Sequence, residues 1–129
     1  MENIKISGTD RHPEIDFDYS TNRFSIRGFS YPENVKNFYD PIIEPFIDYL
    51  AGLEGSSLDL ECAFNYFHSS SAQVLYRIFD AMEICGARGN SMTITWAYEA
   101  GDDNMQEAGE DFAEDLENVQ LILKEIDPS

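Results

Sequence analysis

His68-Ser69-Ser70-Ser71 gathers an imidazole and three hydroxyls in one run, between the apolar stretch Leu58–Phe67 and the start of an amphipathic helix pattern. Hydroxyls at such a strand-to-helix handover lie where unpaired backbone N–H groups and the helix dipole favour negative charge. The chemistry this suits is phosphoryl acceptance: a phosphate would add about −1.5 to −2 charges at the mouth of a helix. Ser70-Ser71-Ala72-Gln73 matches a capping box, which makes Ser70 the expected N-cap. Capping accounts for one hydroxyl of the three. Ser69 would then lie just outside the helix and project to solvent, as the first candidate for modification, with Ser70 and Ser71 as alternatives. A histidine beside serines also fits a small hydrolase using Ser69 and His68, but GxSxG is absent and no pattern supplies an oxyanion hole.

Other constellations carry less. His12 and His68 are far apart and neither has metal-ligand spacing, so no metal is expected. A calcium loop begun at Asp102 puts Glu107 at the glycine position and Ala113 at the bidentate glutamate position, so that spacing fails. Glycine-rich phosphate loops of the GxxxxGK[ST] or GxGxxG kind are missing. Glu99–Glu117 holds many carboxylates and no Lys or Arg; it reads as the solvent face of a helix, or as an acidic scaffold for a basic partner. Cys62 and Cys85 lack CxxC spacing and read as buried, reduced thiols.

The elements that must position the serines follow from periodicity. Ile4-Lys5-Ile6 alternates as a short strand, and residues 14–29 read as a hairpin with Phe17, Phe24 and Ile26 inward. Asn34 is the expected cap of a helix whose stripe is Phe38, Ile42, Phe46, Tyr49 and Leu53. Pro41 and Pro45 predict that this helix is kinked or in two pieces over about residues 34–53. Leu58–Phe64 is a strand. Leu75, Ile78, Met82 and Cys85 mark the next helix, with Gly86 as its expected C′ residue. Ser91–Tyr98 alternates as a strand, Asp103–Glu117 is an acidic helix, and Val119–Ile126 reads as a last strand. Tyr31, Phe38, Tyr39, Tyr66 and Phe67 are expected mostly in the core. Three strands followed by three helix–strand repeats give an α/β fold, a mixed sheet covered by helices.

Composition bounds the function. The 129 residues are expected to form one domain, and 43% hydrophobic with 13% aromatic residues suffices for a core. A net charge of −17 argues against nucleic acid and anionic membranes and suits a basic protein partner. The N-terminus shows no apolar signal segment, and no run spans a bilayer, so a cytoplasmic location is expected.

Five motifs in order carry a family resemblance: Gly8-Thr9 with Pro13–Asp18, Ser30-Tyr31-Pro32-Glu33-Asn34, Tyr66-Phe67-His68-Ser69-Ser70-Ser71, Trp96-Ala97-Tyr98-Glu99 and Gly109-Glu110-Asp111-Phe112. Together they resemble the SiaC family of bacterial regulatory phosphoproteins over most of the chain. The resemblance implies a STAS-like fold, with a mixed β-sheet, an N-terminal hairpin and about three helices. It implies a non-enzymatic partner switch without a cofactor of its own. A protein kinase phosphorylates the threonine of an Asn-Thr-Ser-Ser motif, and a PP2C-like phosphatase removes the phosphate. The unphosphorylated protein binds and activates a diguanylate cyclase, raising cyclic-di-GMP and promoting biofilm. The family threonine aligns with Ser69, the asparagine with His68, and a common lysine with Gln73. Partner contact is then expected at His68, Ser69, Ser70 and Gln73, with Tyr31, Glu33 and Asn34 of the second motif.

Overall fold

A computed structural model describes residues 1–128. In chain order the elements are β1 (Ile4–Ile6), β2 (Glu14–Asp18), β3 (Arg23–Ser30), α1 (Val35–Ala51), β4 (Ser57–Phe67), α2 (Ser69–Ala87), β5 (Ser91–Glu99), α3 (Asp103–Glu114) and β6 (Val119–Ile126). The strands form one sheet in sequence order, β1 to β6. β1, β2 and β3 pair antiparallel; β3, β4, β5 and β6 pair parallel. This is the mixed α/β sheet that the sequence pattern implied, in the STAS-like form that the family resemblance implied.

Parallel crossovers favour one hand, so three in succession toward the same sheet edge put their helices on the same side of the sheet. Burial agrees. Along β4, Leu58, Leu60, Cys62 and Phe64 are buried while Asp59 and Asn65 are exposed. The inward residues of the hairpin, Phe17, Phe24 and Ile26, join them. Phe46 of α1 meets Phe17 and Phe24 at ring distances of 5.1 and 4.9 Å. Trp96 of β5 is fully buried against Phe112 of α3, and its Nε1 donates to the Met105 carbonyl at 2.9 Å. The opposite sheet face carries Asp16, Arg23, Arg27, Asp59, Glu61 and Thr95 around a shallow trough of about 600 Å³.

Four boundaries differ from the sequence reading. α1 is one uninterrupted helix despite its two prolines. Pro41 and Pro45 are four residues apart, so the donor missing at Pro45 would have met Pro41's own carbonyl, and the loss stays on one outer side. Tyr39, Ile42, Ile43, Phe46 and Leu50 hold the inner side. β4 runs on to Phe67. α2 continues past Gly86, and the left-handed residue after it is Gly89, at φ +103°. Gly86 serves a close approach instead: a Cβ there would stand 2.2 Å from the Asn118 carbonyl oxygen. α3 ends at Glu114 rather than Glu117. The strand over Val119–Ile126 is as read, and Cys62 and Cys85 are buried free thiols.

Candidate functional site: the start of α2

Parallel β3 and β4 end side by side, so the segments that follow them meet at one edge of the sheet. The backbone N–H of His68 donates to the Ser30 carbonyl at 2.9 Å, which ties the end of β4 to the end of β3. Asn34 caps α1 here, its side chain accepting from the Asn37 N–H at 3.0 Å. Tyr31, next in chain to Ser30, is thereby brought to the same edge as His68, and Glu33 and Asn34 follow it in the turn into α1. Pairing slips between Gly28 and Phe29, where Gly28 takes φ +107°, so Phe29 stands opposite Tyr66 and Asn65 is passed over. A bulge of this kind re-aims side chains.

The serine run is laid out differently from the capping-box expectation. His68, not Ser70, is the N-cap of α2. Its Nδ1 accepts from the Ser70 N–H at 3.2 Å and lies 3.0 Å from the Ser70 Oγ. Its carbonyl accepts from the N–H groups of Ser71 and Ala72. Ser69 is therefore the first residue of the helix rather than a residue outside it. It is exposed, as is Gln73 one turn on, and the two share a face. Ser70 is half-buried and engaged by the imidazole.

Ser71 faces the opposite way, with 1% of its surface accessible. It joins a buried chain of hydroxyls. Ser71 Oγ donates to the Ser30 carbonyl at 3.1 Å, Ser30 Oγ donates to Ser71 Oγ at 2.8 Å, and the Tyr39 hydroxyl meets Ser30 Oγ. Burial pushes the Tyr39 phenol up to about 12, against a smaller opposing effect of its bond to Ser30. The phenol is therefore a steady donor at neutral pH. As a modification site Ser71 is geometrically closed.

Beside Ser70 and Gln73, a shallow groove of about 470 Å³ runs between α1 and α2. Asp40 in it meets Arg77 at 3.3 Å and Lys36 at 3.8 Å. Sequence reasoning named neither cation: Lys36 is an i,i+4 neighbour of Asp40 on α1, and Arg77 reaches Asp40 only because α1 packs on α2. It also placed Tyr66 mostly in the core, where the structure leaves it 47% exposed. Tyr31 is half-buried, 5.9 Å ring to ring from Tyr66, and the Arg11 guanidinium lies over the Tyr31 ring at 5.5 Å while reaching Glu33 at 3.6 Å. His68 turns its ring to Ser70 rather than Ser69, which does not form a Ser69–His68 nucleophile–base pair.

A six-stranded sheet with helices on one side defines a STAS-like α/β protein, and here it presents an exposed serine hydroxyl at the first position of α2. The family model for SiaC family regulatory phosphoproteins matches residues 6–126, and the chain belongs to that family. An uncharacterised protein of Pseudomonas aeruginosa strain UCBPP-PA14 is 30% identical over 115 residues, covering 89% of this chain and 90% of its own length. Apo-SiaC from Pseudomonas aeruginosa is similar in structure, with a TM-score of 0.82, 28% identity, and coverage of 96% of this chain and 99% of its own. The crystal structure of the diguanylate cyclase SiaD in complex with its activator SiaC, from the same species, also matches. There the TM-score is 0.85 at 27% identity, over 95% of this chain and 99% of the matched one. Among the described residues no helix is long and apolar enough to cross a membrane.

Proposed function

We propose that this protein is a non-enzymatic switch, acting as one domain in the cytoplasm, whose phosphorylation on Ser69 decides whether it holds a diguanylate cyclase. Unphosphorylated, the edge formed by Tyr31, Glu33, Asn34, His68, Ser69, Ser70 and Gln73 fits the cyclase and activates it. A kinase adds the phosphate and a PP2C-like phosphatase removes it. Both are separate proteins that bring their own ATP and metal.

The observation that carries this reading is the division of labour among the three serines. Ser71 is buried in the hydroxyl chain, Ser70 is held by the cap, and Ser69 alone of the three is exposed. A phosphate on the first residue of α2 gains from the helix dipole, so it need not unfold the helix. What it changes is the outer surface, where about two added charges and their water oppose docking. Serine carries phosphate as threonine does, so the switch needs no threonine at this position.

Phosphopeptide mapping of the protein from cells with and without the kinase tests the assignment. The expected result is one phosphate, on Ser69, that disappears without the kinase. A phosphate on Ser70 with Ser69 unmodified would overturn it.

A further inference from the structure

We infer that the outer edge of β6 is a docking site for an extended segment of a protein partner, apolar at alternate positions and carrying Lys or Arg between them. The segment adds to the sheet beyond β6 as a further strand. This edge is separated by β5 from β4 and the turn that carries Ser69, and the inference does not rest on the switch proposed above.

The two edges of the sheet are unequal. β1 closes one of them with three residues, Ile4–Ile6. β6 closes the other with eight, Val119–Ile126, paired with β5 in unbroken register and with no strand beyond. The backbone N–H and C=O groups that point away from β5 have no strand partner there, which makes this edge a template for another chain. Natural edges are blunted by proline, by a bulge or by charge. Val119-Gln120-Leu121-Ile122-Leu123 has none of these, and charge begins only at Lys124. Ile122 is 42% exposed and Leu123 37%. Neighbours in a strand face opposite ways, so an apolar side chain stands on each side of the sheet. Ile122 lies beside Thr95 on the open face, and Leu123 lies against Gly109 of α3. Only an extended backbone matches the row of free groups, so the edge itself selects a strand.

Charge selects its side chains. α3 covers this border of the sheet: a Cβ on Gly109 would stand 2.4 Å from Trp96 of β5 and 2.7 Å from Leu123 of β6. Ala108, on one flank of α3, lines a cavity with Tyr66 and Phe67 of β4, so the opposite flank, with Gln106, Glu110 and Ala113, lies toward β6. Asp103, Glu107, Glu110 and Glu114 recur every three or four residues on the outer side of α3, and the helix holds no cation to offset them. Lys or Arg on the helix side of an added strand answers that stripe. The same stripe opposes a second copy of this protein. Two copies paired through β6 would bring their α3 helices to about 10 Å apart, twice the strand spacing, with acid facing acid.

The test is amide hydrogen exchange of the isotope-labelled full chain, read by NMR, with and without a short peptide of alternating isoleucine and lysine. One control is the same peptide N-methylated at every residue, which has no N–H to donate. The other carries glutamate in place of lysine. The peptide is expected to slow exchange at alternate residues within Val119–Leu123, and neither control is expected to do so. Ile122→Lys, which charges the edge, and Glu110→Lys, which inverts the stripe, are each expected to weaken Kd about tenfold at unchanged thermal midpoints. No slowing at millimolar peptide, an equal effect of either control, slowing confined to residues outside β6, or wild-type affinity in either variant would overturn the inference. Slowing of the same amides without peptide, as the protein is concentrated, would overturn it in favour of a second copy.

Discussion

Ser71 and Ser30 bond each other twice: the Ser71 hydroxyl donates to the Ser30 carbonyl at 3.1 Å, and the Ser30 hydroxyl donates to Ser71 Oγ at 2.8 Å. Forty-one residues separate them in sequence. With Tyr39 from α1 as the third member, they lock the start of α2 to the end of β3. The same turn that presents Ser69 outward is therefore anchored inward by its neighbour two residues on.

Ser71→Ala takes away the acceptor of the buried Ser30 hydroxyl and one of the two donors to the Ser30 carbonyl, which keeps the His68 N–H. The expected cost is about 1–3 kcal/mol in urea unfolding. Ser71→Asp would place a carboxylate in the same closed space and is expected to prevent folding, whereas Ser69→Asp should unfold at nearly the wild-type urea concentration. Comparison of the three unfolding midpoints checks the inside–outside division of the serines.

His68 caps α2 through the lone pair of Nδ1, which only the neutral ring offers. Removing the acceptor with His68→Ala is expected to cost about 1 kcal/mol, within the range for lost N-caps. His68→Asn, which restores a strong capping residue, is expected to equal or exceed the wild type. Equal destabilisation by both changes would show that the imidazole contributes by packing instead.

At the far end of α2, Glu83 accepts from the backbone N–H groups of Glu117 and Asn118 and from the Asn118 side chain, at 2.9, 2.8 and 2.6 Å. Partial burial raises its pKa, but these three bonds outweigh that and hold the carboxyl below its ordinary value of 4.5. A depressed folded pKa means stability present above 4.5 and lost as the pH falls below it. Glu83→Gln should therefore be less stable than wild type at neutral pH, by no more than about 1 kcal/mol because water screens the site. The difference should shrink on acidification. Gly86→Ala, which forces a methyl onto the Asn118 carbonyl, should cost more, about 1–3 kcal/mol, at every pH.

Much of this architecture is written locally. The alternation around Phe17, Phe24 and Ile26 and the stripe Leu75, Ile78, Met82 and Cys85 specify their elements without help from the rest of the chain. What escaped was set by tertiary partners. Gly86 looks like a helix stop until Asn118 is placed against it. Pro41 and Pro45 look like a break until the inner side of α1 is packed. The cap passed from Ser70 to His68 because Ser71 was drawn inward by Ser30, which no local spacing announces. Tyr66 reads as core by composition, and only the slip in register at Gly28 turns it out. The family motifs singled out Ser69 by alignment; its exposure at the first position of α2 supplies the physical reason that this hydroxyl, of three, can be reached.

The central claim is that charge on Ser69 abolishes docking without disturbing the fold. The direct measurement is the affinity of a diguanylate cyclase for three forms of the protein: Ser69→Ala, Ser69→Asp and the enzymatically phosphorylated wild type. Tight binding by Ser69→Ala, with affinity lower by about tenfold or more in the other two at unchanged thermal midpoints, is the predicted result. Equal affinity across all three would contradict it.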